Sequence, residues 1–184
     1  MTIQADEVSF SSRADLRRWL SENYQRPKGL WAIFHKQSTG LSDLSWDALV
    51  EECLCFGWID SVPGKVDDLR TKIYISPRKP GSGWSARNKA KIIELQSLGL
   101  IESPGMQAIE RAKSSGSWTL FDLAEAQVVP EELSSIFAAN SELKTAWGKL
   151  TDSQRKAKLQ NFYLAKSDET KAKRVAEIIA ALKI

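Results

Sequence analysis

Apolar residues recur along this chain at two spacings, and the switches between them mark out its elements. In SSRADLRRWLSENY, Leu16, Trp19 and Leu20 lie three and four apart, the stripe of an amphipathic helix. Ser12, with Asp15 three residues on, gives that helix a capping-box start. GLWAIFHKQ changes to alternation, with Leu30, Ala32 and Phe34 on one side and Trp31, Ile33 and His35 on the other, which predicts a strand. SWDALVEECLCFG returns to helical spacing. Ser45 caps it, Asp47 suits its positive end, Trp46, Leu49, Val50 and Cys53 make its buried stripe, and Gly57 suits the turn beyond it. WIDSVPGKV and LRTKIYISP then read as two strands joined around residues 65–68. WSARNKAKIIELQSLG reads as a helix capped by Ser85 and stopped by Gly99.

Beyond residue 102 only the helical spacing is left. Ser103 and Pro104 open one helix, with proline at the first position, where it is tolerated. WTLFDLAEAQVV is irregular and marks a boundary. Four short amphipathic helices follow, opened by Pro130, Ser141, Thr151 and Ser167. Their inward residues are Leu133, Ile136 and Phe137; Leu143, Ala146 and Trp147; Leu159, Phe162 and Tyr163; and Val175, Ile178, Ile179 and Leu182. The predicted class is α+β: a small antiparallel sheet with packed helices, followed by a C-terminal helical bundle. The division expected is residues 1–122 and 123–184, or one compact domain over both.

Composition adds a packed core, since apolar residues make up 42% and charged residues 27% of the 184. The net charge of +3 is too small for a global nucleic-acid argument, but its distribution is uneven. Residues 69–93 hold seven Lys/Arg and no Asp/Glu, so the remainder carries −4. Cys53 and Cys55 lie two apart on a predicted helix and point to different sides, which argues against a disulfide and for a reducing compartment. The opening MTIQADEVSF has no apolar core of a signal peptide, and no apolar run is long enough for a membrane span, so a cytoplasmic location is expected.

The chemistry gathers in ISPRKPGSGWSARNKAK, residues 75–91. Pro77 and Pro80 stiffen the segment, Gly81 and Gly83 permit close approach, and the loop leads through Trp84 into the helix start at Ser85. Free N–H groups at a helix start, with Arg78 and Lys79 nearby, predict a place for a phosphate or carboxylate. Asn88 heads the apolar stripe of that helix with Ile92 and Leu95, so its amide points inward, either into a cleft or back to the loop. Asp60 follows Phe56, Trp58 and Ile59; it reads either as a group that orients a ligand or as a structural partner of Arg70 or Arg78. Tyr74 and Ser76 alternate onto one strand face with Lys72 and are expected to share a wall with Asp60. The candidate ligand-binding set is therefore Trp58, Asp60, Tyr74, Arg78, Lys79, Trp84, Ser85 and Asn88. No catalytic residue is assigned. His35 is the only histidine, there is no G-x-S-x-G, P-loop or G-x-G-x-x-G, and one histidine with two diverging cysteines makes no zinc shell, so neither metal nor cofactor is expected.

Two long runs resemble the YdeI/OmpD-associated (bacteriocin-protection) family: WDALVEECLCFGWID, at residues 46–60, and YISPRKPGSGWSARN, at residues 74–88. Shorter matches are the RADLRRWL helix, the GLW strand, residues 98–110 and residues 165–174, so the resemblance spans nearly the whole chain. One departure is Ser61, where members often carry glycine. The resemblance marks Trp58, Asp60, Pro77, Arg78, Trp84, Ser85 and Asn88, implies a role in tolerance of antimicrobial peptides, and implies no catalytic mechanism. Three functions follow, in this order: a non-enzymatic protein with an anion-binding cleft, which also leaves room for a protein partner; an enzyme using Asp60 as base and Arg78 to hold an oxyanion; and a nucleic-acid module, which the balanced charge of the C-terminal half disfavours.

Overall fold

The computed structural model describes residues 4–182. The chain divides into two compact units: Met1–Ser82 with Arg87–Ser115, and Gly83–Ala86 with Gly116–Ile184. The first unit is α+β. It runs β1 (Glu7–Ser9), α1 (Arg13–Asn23), β2 (Leu30–His35), α2 (Trp46–Cys55), β3 (Trp58–Lys65), β4 (Arg70–Pro77), α3 (Ala86–Ser97, its first residue falling in the second unit) and α4 (Ser103–Ser114).

The helix starts follow from local chemistry. Ser12 Oγ accepts from the Asp15 N–H at 3.1 Å, and the Asp15 carboxylate accepts in turn from the Ser11 N–H at 3.0 Å. Ser45 caps α2 through the Ala48 N–H, and Gly57, at φ +72°, makes the left-handed turn into β3.

The sheet has the order β1-β2-β4-β3 and is mixed. β2, β4 and β3 are antiparallel, as expected, but β1 pairs parallel to β2. The reason is connectivity. Two parallel strands need a crossover, and α1 supplies it as the helix of a β1-α1-β2 unit. Glu7, Val8 and Ser9 alternate, but three residues are too short a run for the alternation to mark a strand, so β1 is invisible before folding. Its place is nonetheless fixed by the Trp31 N–H donating to Asp6 O and the Phe10 N–H donating to Ile33 O, both at 2.8 Å. β2 is central in the sheet, with neighbours on both edges, and its residues from Leu30 to Phe34 are buried.

The core of this unit packs Leu16 and Leu20 of α1, nearly the whole of α2, and Ile73 and Ile75 of β4. Trp58 is buried here too; its indole N–H donates to Tyr24 O at 3.1 Å, and its ring meets Trp19 edge-on. Trp46, expected on the buried stripe of α2, is instead 46% exposed, because its position in the first turn lets its indole N–H reach Asp60 on β3.

The second unit is helical: α5 (Asp122–Glu125), α6 (Glu131–Ala139), α7 (Ser141–Lys149), α8 (Asp152–Tyr163) and α9 (Asp168–Leu182). Leu133, Phe137, Leu143, Trp147, Leu159, Phe162, Val175, Ile178 and Leu182 converge with Ala124 in one core. These are the stripes read from spacing. Thr151 and Gln154 complete a reciprocal capping box, whereas α7 is capped by Asn140, whose side chain accepts from the N–H groups of Glu142 and Leu143. Among the described residues no helix is long and apolar enough to cross a membrane.

Candidate functional site

Where β4 ends and β2 begins, the first unit opens into a cleft of about 600 Å³. Three segments wall it: residues 4–6, residues 26–29, and Tyr74 with residues 76–80. The walls meet because the sheet is built that way. Leu30 pairs with Ile75, which lays the approach to β2 alongside the end of β4, and the strand ladder of β1 brings residues 4–6 to the same end. Gly29 is required by this closeness. A β-carbon there would lie 2.3 Å from Ile75 O and 2.7 Å from both Ser76 Cβ and Tyr74 Cζ.

Four cationic residues line the cleft: Arg26, Lys28, Arg78 and Lys79. Asp6 is the one acid among its lining residues, and it accepts from Arg26 at 2.6 Å. Among the described residues, Lys28 and Lys79 make no ion pair, and both are exposed. Arg78 is different. It is buried, and desolvation pulls its guanidinium down to about 10 while the charge of Asp60 works the other way, so it stays protonated at neutral pH. Tyr74 is half-buried, with the ring of Trp31 edge-on to it at 5.6 Å.

Of the eight candidate residues, the cleft brings together Tyr74, Arg78 and Lys79. Asp60 is elsewhere. It pairs with Ile75 in the sheet, which places it on the face opposite Tyr74 and Ser76, so the shared wall expected for these residues does not form. Its carboxylate accepts from the Trp46 indole at 2.9 Å. Trp58 is a core residue, as described above. In the second unit Trp84 is 1% exposed and lies against Trp118, with ring centroids 5.0 Å apart. Ser85 and Asn88 are half-buried, each with partners of its own. At the start of α3, the Ala86 N–H donates to the Glu125 carboxylate at 3.2 Å, and Glu125 also lies 3.1 Å from Lys156. That N–H group, where the sequence suggests an external anion, thus faces one of the protein's own.

Arg26 and Lys28 were not singled out from sequence. Their signal was present in QRPKG, a second basic segment broken by proline and glycine like PRKPG, and the antiparallel pairing of β2 with β4 is what sets the two side by side.

A second charged cluster in this unit is closed on itself. Glu52, 2% exposed, accepts from Arg13 Nε at 2.6 Å and Arg17 Nη1 at 2.8 Å; Glu51 takes Arg13 and Lys91, and Arg17 reaches Glu102. Burial opposes the charge on Arg13 and Arg17, yet their hydrogen bonds to Glu52 and its field outweigh it and raise both. Cys53 and Cys55 are buried free thiols. Burial, then the neighbouring carboxylates, push Cys53 well above the usual thiol range and Cys55 up to about 11, so neither is poised as a nucleophile. Among the described residues no three His, Cys, Asp or Glu side chains gather as metal ligands.

The family described as a domain of unknown function, DUF8412, matches residues 8–108, which takes in the cleft walls at residues 26–29 and 74–80. The family described as bacteriocin-protection, YdeI or OmpD-associated matches residues 127–183, the helical core. No curated protein and no solved structure matches the chain. With more than half its length under the first match, the chain belongs to the DUF8412 family, and it carries the bacteriocin-protection, YdeI or OmpD-associated domain at its C-terminal end.

Proposed function

We propose that this is a non-enzymatic binding protein that takes a small phosphate- or carboxylate-bearing ligand in the cleft between residues 26–29 and the end of β4. One observation carries the reading: Lys28 and Lys79, from separate walls of a single cleft, have no internal counter-ion among the described residues, while the one lining acid is already held by Arg26. Arg78, buried and charged, also lines the cleft. Volumes of roughly 300–1,000 Å³ are those of small-molecule sites.

Phosphate and citrate are expected to raise the thermal unfolding temperature at low ionic strength, and added sodium chloride to erase the shift. An exposed ion pair contributes roughly 0.2–1 kcal/mol, so Lys28→Ala and Lys79→Ala should each weaken binding by a factor of about 1.4 to 5, and the double variant more. No stabilisation of the wild type by either anion, or an unchanged response in the double variant, ends the proposal.

The cleft would work in the cytoplasm, where free thiols such as Cys53 and Cys55 persist. The description of the C-terminal family attaches bacteriocin protection to that family. Carried to this chain, it predicts that bacteria expressing the protein survive a bacteriocin challenge better than the empty-vector control, and that the Lys28→Ala/Lys79→Ala variant does not protect. Equal survival of wild type and control would remove this role without touching the binding assay.

A further inference from the structure

A single oxyanion would leave most of a 600 Å³ cleft unfilled, which is room for a ligand that brings a body with its charge, and the walls describe that body. Ala5, Pro27, Pro77 and Pro80 offer apolar surface and, in the prolines, no backbone donor. The ring of Tyr74 is the one aromatic surface in the lining. It is held from two sides. Trp31 meets it edge-on at an interplanar angle of 73°, and the bare backbone of Gly29 lets its phenol end lie where any side chain at 29 would collide. Trp31 is in turn covered by the ammonium of Lys72, 4.8 Å from its ring centre and bound to Glu7. The aromatic wall is therefore braced before any ligand arrives.

The charges narrow the head group. Arg guanidinium forks suit flat carboxylates, but Arg26 is engaged by Asp6, and Arg78 is 8% exposed with partners of its own. Lys28 and Lys79 are left to meet the ligand, and two compact ammonium charges match a group that carries two negative charges over three oxygens. We infer that the cleft is built for a phosphomonoester borne on a flat, largely apolar body, its phosphate met by Lys28 and Lys79 and its ring by Tyr74. This rests on the anion-binding reading above and adds the ligand's chemical class.

Calorimetric titration of the full chain at low salt with phenyl phosphate, inorganic phosphate and benzoate tests it. Phenyl phosphate should bind at least about tenfold more tightly than either of the others. Its affinity should rise from roughly pH 5 to 7.5 as the second phosphate proton leaves. Tyr74→Leu keeps an apolar contact for Trp31 and should bring phenyl phosphate down to the level of inorganic phosphate, leaving the latter unchanged; Tyr74→Phe should keep the preference. If Tyr74→Leu does not fold, the three wild-type affinities decide alone. Inorganic phosphate binding as tightly as phenyl phosphate overturns this inference and leaves the anion site standing. Benzoate binding as tightly, without pH dependence, assigns the site to carboxylates and also overturns it. Failure of all three to bind removes both readings.

Discussion

Replacing Glu52 with alanine should destabilise the α+β unit by about 3 kcal/mol. The side chain sits in the middle of α2 at 2% exposure, where an unpaired carboxylate would be untenable. It persists there because α1 presents Arg13 and Arg17 one turn apart, and each gives it a charge-assisted hydrogen bond. Arg17 then ties α2 to the chain after α3, donating to Leu100 O at 3.0 Å and to Glu102 at 2.7 Å, with its guanidinium over the ring of Phe56. Deleting the carboxylate leaves two guanidiniums facing each other and a cavity. The arginines keep about a third of their side-chain surface in water, which is why the expected cost lies at the lower end of the range for a broken buried pair. Glu52→Gln keeps the shape and one acceptor and should lose about half as much. Urea denaturation followed by far-ultraviolet circular dichroism reads both. A midpoint for Glu52→Ala within error of the wild type would show that the network decorates the helix pair and does not organise it.

The same residues show where sequence reading reaches and where it stops. Arg13, Arg17, Glu51 and Glu52 are ordinary charged positions on two amphipathic helices. Nothing in their spacing says that α1 and α2 will turn these positions toward each other, because that depends on the sheet both helices cover. Helix ends were legible for the opposite reason. Ser12, Ser45 and Thr151 act on N–H groups three residues away, so the whole interaction is in the local sequence. The four stripes of the helical unit were equally local, and they converge in one core.

The cleft falls between these cases. Its β4 wall was legible in PRKPG, where proline, glycine and charge are contiguous. The opposite wall, at residues 26–29, needed the strand register, and the third, at residues 4–6, needed β1, whose three residues are too short a run to read. Glu125 at the first turn of α3 lies 39 residues beyond the group it satisfies, in a stretch that reads as irregular. Asp60 and Tyr74 show the limit of alternation: each strand's faces can be read, but which face of β3 matches which face of β4 is set by pairing.

Glycine-to-alanine substitutions should separate the two units by the sign of their effect. Gly105 is buried in α4 where that helix crosses the end of α2. A β-carbon there would stand 2.3 Å from Cys55 O, 2.8 Å from its carbonyl carbon and 2.9 Å from Leu54 O. All three are backbone atoms at a helix end that is pinned from two directions, by the Glu102 N–H donating to Cys55 O at 3.0 Å and by the left-handed turn at Gly57. The obstacle cannot rotate away as a side chain would, so α4 must lift and the contact with α2 opens. Gly105→Ala is therefore expected to cost about 3 kcal/mol, at the upper end of overpacking penalties, although alanine is the better helix former. Gly148 in α7 has open space where a β-carbon would go. There only the helix propensity acts, and Gly148→Ala should stabilise the helical unit by about 0.5–1 kcal/mol. Hydrogen exchange read separately over α4 and α7 distinguishes the two: protection should fall in α4 for the first variant and rise in α7 for the second. Unchanged protection of α4 in Gly105→Ala would mean that the α2–α4 crossing yields by more than an ångström, and the close approach would then be no constraint on this fold.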